Sequence, residues 1–178
     1  MGNVASRVIE YLNRAARRIR YPGEDDDWAS ALLDAVLVIA KLAALFRIDG
    51  NMLRLERVRG IEEDDLSAVS LEVPLVSAPA FQTVVASRDS VVALPLASEI
   101  SEPVVRGLSL DMDGRIALIP LVVRQKVTAV LLAAGGELPA SLDGLELIAT
   151  LAGAVLEGRT DFSDRPSADL VSIRGISA

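Results

Sequence analysis

Apolar residues are densest between Arg115 and Ala134, where the sequence reads RIALIPLVVRQKVTAVLLAA. The polar residues Arg124, Gln125 and Lys126 divide this stretch into two runs of Ile, Leu, Val and Ala. Short apolar runs bounded by a turn signal are typical of buried strands. The stretch therefore predicts a β-hairpin, and Gln125 and Lys126 have to make its turn without a glycine.

Three segments show the spacing of helices. In residues 3–21, apolar side chains recur every three or four positions until Tyr21-Pro22-Gly23 ends the pattern. The stretch Asp26–Phe46 is apolar at almost every position and follows an acidic run that supplies an N-cap. The last helix is predicted at Leu142–Gly158, with Ser141 as its cap.

A helix with as little polar surface as Asp26–Phe46 has to be covered on more than one side. One cover is the sheet, and the other is either the N-terminal helix or a second subunit. The helix Leu142–Gly158 has a similarly narrow polar stripe. We expect these two helices to lie on the same face of an antiparallel sheet.

The other predicted strands are short. Met52–Val58 alternates apolar and charged residues, which predicts a half-exposed first strand. Leu71–Val76 contains Pro74 and is therefore expected at a sheet edge. Between this strand and the hairpin we predict a helix from Ser77-Ala78-Pro79 to about Ser87, a strand at Val91–Leu94, a loop with one short helical piece at 95–110, and a turn at Asp111–Gly114.

The elements predict an α+β fold, an antiparallel sheet flanked by helices, in three parts. These parts are a basic amphipathic helix at 1–25, one domain at 26–158, and a tail or linker at 159–178. Within the tail, Leu170–Ile173 is a candidate for a short added strand.

The chain of 178 residues contains neither histidine nor cysteine. Disulfides, thiolate nucleophiles and soft-metal sites are therefore excluded, and no serine has a histidine to activate it. Lys41 and Lys126 lie on a predicted helix stripe and in a turn, so neither is poised to serve as a base. We expect no enzymatic activity, no catalytic residues and no cofactor.

The net charge of −7 disfavours a nucleic-acid partner. Residues 1–20 are nevertheless basic, because they contain five arginines and only one acidic residue, Glu10. Such a helix is either a solvated surface or an arm for an anionic partner. No window is apolar and long enough for a spanning helix, and no signal peptide is visible, so we expect a cytoplasmic protein without a membrane partner.

Asp111 and Asp113 are candidate ligands of an oxygen-rich cation site. Asp-x-Asp-Gly is also an ordinary turn before a strand, and the rest of a calcium loop is absent. We therefore expect a turn here and no metal site.

These elements resemble the GAF domain, a sensory relative of the PAS fold, over roughly residues 26–158. The run IALIPLVVRQKVTAVLL, from Ile116 to Leu132, carries the likeness best, because Pro120-Leu121 takes the place of the family's proline–leucine pair. The run from Ala80 to Leu94 is similar to the family's helix and short strand. The run from Leu145 to Val155 is similar to its closing helix.

The resemblance implies a ligand pocket between the sheet and a covering segment, here Pro79–Leu110. Its candidate lining residues are Phe81, Val84, Val104 and Leu108 from the cover, and Leu53, Leu55, Ile116 and Leu118 from the sheet. The cations of the cover, Arg88 and Arg106, are candidates for orienting an anionic ligand, or else surface arginines. The alternative to an open pocket is a cavity filled by core side chains.

Other GAF functions are disfavoured by the residues. A covalently bound bilin and the methionine-sulfoxide-reducing members both require cysteine, haem ligation normally uses histidine, and the NKFDE-type residues of cyclic-nucleotide binding are not found. The resemblance therefore implies a sensory or regulatory module that binds a small molecule or a protein partner. It would signal through a homodimer formed by the first and last domain helices. The alternative is a ligand-free degenerate GAF fold that acts as a dimerisation or assembly scaffold.

Overall fold

The computed structural model describes residues 2–21, 27–61, 71–136 and 138–163. Six strands form one antiparallel sheet in the order β3-β2-β1-β6-β5-β4. The strands are β1 Leu42–Asp49, β2 Met52–Arg59, β3 Glu72–Pro74, β4 Val91–Ala93, β5 Ile116–Val123 and β6 Lys126–Ala134. The helices are α1 Gly2–Arg20, α2 Trp28–Val36, α3 Pro79–Ser87, α4 Ala97–Ile100, α5 Glu102–Gly107 and α6 Leu138–Ser163. The predicted α+β class is confirmed.

The prediction of one long helix at Asp26–Phe46 is wrong. Asp26 itself lies outside the described residues; α2 ends at Val36, and a tight turn leads into β1. Strand β1 lies between β2 and β6, and every residue from Leu42 to Phe46 is buried. A strand covered on both faces carries apolar residues at every position, so its sequence has no alternation and reads like part of a buried helix.

The hairpin of β5 and β6 is confirmed, but its turn lies one residue earlier than predicted. Val123 pairs with Lys126, so the two loop residues are Arg124 and Gln125. Both have positive φ, at 48° and 63°, as the type I′ turn of a two-residue hairpin requires. Lys126 is therefore the first residue of β6.

Helices α2 and α6 pack on one face of the sheet and α1 packs on both of them, which confirms that an early and a late helix share a face. Ala15 and Ile19 of α1 are buried against this layer, so α1 covers the outer side of α2. The predicted cap Ser141 is wrong, because α6 begins at Leu138 and continues past Gly158. In the described chain no helix is long and apolar enough to cross a membrane.

The opposite face of the sheet is covered by α3, α4 and α5, so the single helical piece predicted at 95–110 is two short helices. Pro74 ends β3 at one edge of the sheet, as predicted. The turn at Asp111–Gly114 is confirmed, and the Gly114 N–H donates to the Asp111 carbonyl. The predicted strand Leu170–Ile173 lies outside the described residues.

Candidate functional site

The predicted pocket residues meet in one cluster between the sheet and its cover. Seven of them are fully buried there, and Leu55 is half-buried against them. The seven are Phe81, Val84, Val104 and Leu108 from the cover, and Leu53, Ile116 and Leu118 from the sheet. In the described state these side chains pack against each other as core.

Phe46 completes this cluster and was missed by the sequence reading. Its ring meets that of Phe81 edge to face, with the ring centroids 5.2 Å apart and an interplanar angle of 72°. This arrangement suits the quadrupoles of two aromatic rings. Phe46 could have been predicted as part of the cluster only if Leu42–Phe46 had been assigned to a strand. In a strand, Phe46 lies on the same face as Leu42 and Ala44.

The two candidate arginines lie apart from this cluster. Arg106 projects from α5 into solvent with an 80% exposed side chain and forms an ion pair with Glu102 at 2.6 Å. Arg88 has a left-handed backbone, with φ 64°, that ends α3, and it lines a cleft of about 260 Å³ with β5 and α6. Neither guanidinium is therefore placed to orient a ligand inside the cluster under the cover.

On the helical face, buried and half-buried polar groups connect α2 to β2. The hydroxyl of Ser30 is buried and accepts from Arg57 Nη1 at 2.9 Å and from Arg59 Nη2 at 3.3 Å. Asp27 caps α2 by accepting from the Ser30 N–H at 2.7 Å, and it also accepts from Arg57. Burial alone raises a carboxyl pKa, but here these hydrogen bonds and the Arg57 charge outweigh it and lower the pKa of Asp27.

Asp34 ties α1 into the same network. Its carboxylate pairs with Arg18 of α1 at 3.2 Å and with Arg59 of β2 at 3.7 Å. The helical layer is therefore linked to the sheet by charge as well as by apolar packing. These partners are on three different elements, so sequence spacing gave no sign of the network.

Tyr11 of α1 has a buried hydroxyl without a hydrogen-bond partner among the described residues. Burial, followed by the negative charge of Asp34, raises the pKa of Tyr11 to about 12 from the ordinary 10.0. Because the pKa is raised in the folded state, the packing of Tyr11 contributes fully to stability below pH 10. This contribution to stability is lost as the pH rises toward 12.

Replacing Tyr11 by phenylalanine should leave stability at pH 7 equal or higher, because it removes an unpaired buried hydroxyl. It should also reduce the loss of stability between pH 10 and pH 12, since phenylalanine cannot ionise. Melting temperatures measured across this range test both expectations. Tyr21→Phe is the control at an exposed position, and parallel alkaline profiles for wild type and Tyr11→Phe would contradict the assignment.

A cleft of about 720 Å³ runs between α1 and α6. Its floor is apolar and its α1 side carries cations. The lining residues are Asn13, Ala16, Arg17, Arg20 and Tyr21 on the α1 side, and Leu151, Ala154, Val155 and Gly158 on α6. We call this cleft the α1–α6 groove.

No protein-family model and no curated protein matches the chain. Solved structures do. A GAF domain of an Acinetobacter phosphoenolpyruvate-protein phosphotransferase is 16% identical, with a TM-score of 0.63, 94% of this chain covered and 99% of that one. A GAF domain/HD domain protein from Geobacter sulfurreducens is 17% identical, with a TM-score of 0.59, 87% of this chain covered and 94% of that one.

An enzyme is also among the similar structures. The free methionine-R-sulfoxide reductase of Neisseria meningitidis, solved with its substrate, is 16% identical, with a TM-score of 0.63. The alignment covers 89% of this chain and 93% of that one. At these identities the likeness concerns the fold, and the residues have to decide the chemistry.

Proposed function

We propose that this chain, which has the GAF fold, is a non-enzymatic regulatory module that signals through a helix-mediated homodimer. The observation that carries the proposal is the division of the molecule into two cores by one sheet. One core lies under the cover formed by α3, α4 and α5, and the other under α1, α2 and α6. Strands β1, β5 and β6 contribute side chains to both cores. A displacement of these strands by side chains under the cover would therefore also move the side chains that pack against the helical layer.

The absence of histidine and cysteine from the sequence supports a non-enzymatic role. Within the described part of the chain, no group of three or more acidic side chains is placed to hold a metal ion. The sequence has no histidine to activate a serine. The chain shares its fold with the Neisseria reductase, but it lacks the residue types that would carry nucleophilic thiol chemistry.

A small-molecule effector would have to enter under the cover, where the candidate side chains now pack together. Its binding would open the cluster around Phe81 and shift α3 against β5, which these residues join. The filled cluster equally favours the second candidate function, a ligand-free scaffold that acts through its helices alone.

Thermal unfolding in the presence of a panel of metabolites and nucleotides separates the two functions. For an effector, we expect one compound class to raise the melting temperature with saturation, by the equivalent of about 2.7 kcal/mol at a hundredfold excess over Kd. Overpacking the cover with Val84→Leu should abolish that rise, whereas the exposed control Val76→Leu should keep it. A panel without any saturable rise would contradict sensing and favour the scaffold.

A further inference from the structure

We propose that the cleft beside Arg88 binds a basic α-amino acid, a molecule with one carboxylate and two cationic groups. The cleft has a volume of about 260 Å³ and is lined by residues 88–90, strand β5 and helix α6. We call it the edge cleft. It shares no lining residue with the cluster under the cover or with the α1–α6 groove. Binding there can be measured whether or not the chain forms a dimer.

The edge cleft exists because β4 is shorter than its neighbour in the sheet. Strand β4 pairs with β5 from Ile116 to Leu118, whereas β5 continues to Val123. Pro120 lies in this remaining part of β5, and proline is tolerated where a strand has an open edge. Pro120 and Val122 are half-buried and give the cleft an apolar side between residues 88–90 and α6.

Three charged side chains line the edge cleft, and none of them has an ion pair within the described part of the chain. They are Arg88 and Asp89 after α3, and Glu146 on α6. One cation and two carboxylates leave the cleft with an excess of negative charge, which disfavours a simple anion. A ligand that satisfies all three has a carboxylate for the guanidinium and two cations for the carboxylates. A basic amino acid has this set of charges at neutral pH.

The backbone and hydroxyl groups around the cleft suit the same ligand. The Thr150 hydroxyl donates to the Glu146 carbonyl at 2.8 Å, so its remaining capacity is that of an acceptor, which suits an ammonium group. Arg88 ends α3 with φ 64°, and the Asp89 N–H donates to Ser87 Oγ at 3.1 Å. The turn that carries Arg88 is therefore held by its own contacts before a ligand arrives, which lowers the cost of ordering the site.

A ligand in the edge cleft would contact both layers of the molecule. Residues 88–90 directly follow α3 of the cover, and Glu146 and Thr150 belong to α6 on the other face of the sheet. A bound amino acid would connect these two elements around the edge of the sheet. An effector could then act on α6 while the cluster under the cover stays packed.

Calorimetric titration of the full chain with L-lysine and L-arginine tests the site. We expect saturable binding at low ionic strength, where exposed charges are least screened. L-norleucine lacks the side-chain ammonium of L-lysine, and cadaverine lacks its carboxylate. Each analogue should bind with a Kd at least about threefold higher than that of L-lysine, since each loses a charged contact.

Two variants assign the contacts. Arg88→Gln should raise the Kd of L-lysine about threefold or more, but it should leave the Kd of cadaverine unchanged or lower, because cadaverine has no carboxylate to lose its partner. Glu146→Gln should weaken both ligands. Arg106→Gln and Glu157→Gln are the matched controls, because they remove the same charges at exposed positions outside the cleft and should change neither Kd.

Absence of saturable binding of both amino acids would overturn the proposal. Binding that Arg106→Gln weakens as much as Arg88→Gln would also overturn it, because the attraction would then come from the surface as a whole. L-norleucine binding as tightly as L-lysine would reject the requirement for two cations. Each of these results leaves the proposed homodimer intact, since the oligomeric state is measured separately by light scattering.

Discussion

Replacing Phe81 by alanine should lower the free energy of unfolding by about 3–5 kcal/mol, the range for truncating a buried phenylalanine. Phe81 is fully buried, and its ring contacts that of Phe46 across the core beneath the cover. The truncation removes apolar burial and the aromatic contact, and it leaves a cavity that the sheet cannot close. Urea unfolding at one fixed protein concentration measures the loss.

Val76→Ala is the matched control for this truncation. Val76 is 74% exposed, so its change should stay within about 0.5 kcal/mol. A Phe81→Ala loss below about 1 kcal/mol, against the range expected for core truncations, would mean that the cluster under the cover is not packed as described. The cover would then be a loose lid, which would strengthen the case for a ligand site beneath it.

Replacing Gly153 by alanine should destabilise the protein although it adds a good helix former. A Cβ on Gly153 would lie 2.6 Å from the Val122 carbonyl oxygen, at a point where α6 packs against β5. Both contacting groups are on rigid elements, so α6 has to move away from the sheet. Overpacking of this kind costs typically about 1–3 kcal/mol, which outweighs the gain of about 1 kcal/mol in helix propensity.

Gly144→Ala makes the same chemical change in the same helix without the clash. Its Cβ would lie 3.7 Å from the Ile39 side chain, an ordinary contact distance. The variant should therefore gain up to about 1 kcal/mol from helix propensity. Equal effects of the two substitutions on the urea midpoint would show that Gly153 does not mark a close contact between α6 and the sheet.

The sequence predicted those elements of the structure in which local pattern and tertiary environment agree. The hairpin of β5 and β6, the strand β2 and the proline-marked edge strand β3 were all visible in the order of residues. They were visible because apolar runs, alternation and proline report directly on strands. The candidate pocket residues converged for the same reason, since α3 and β5 were placed correctly.

The failures occur where tertiary burial overrides local pattern. Strand β1 was read as helix because both of its faces are covered, and with it Phe46 was lost from the predicted site. Arg88 and Arg106 were assigned to the pocket by their place in the chain, but the left-handed end of α3 and a neighbouring glutamate direct them elsewhere. Backbone direction at such points depends on packing that no sequence window contains.

The sequence alone determined the α+β class, the aliphatic core and the lack of thiol and imidazole chemistry. These properties follow from the composition of the chain and from the spacing of its apolar residues, both of which are present before the chain folds. Only the tertiary structure decided that β1 lies at the centre of the sheet and that α1 covers α2. It also decided that Arg17 and Arg20 of α1 line a groove beside α6, because the sharing of faces and charges between distant segments arises only when the sheet brings them together.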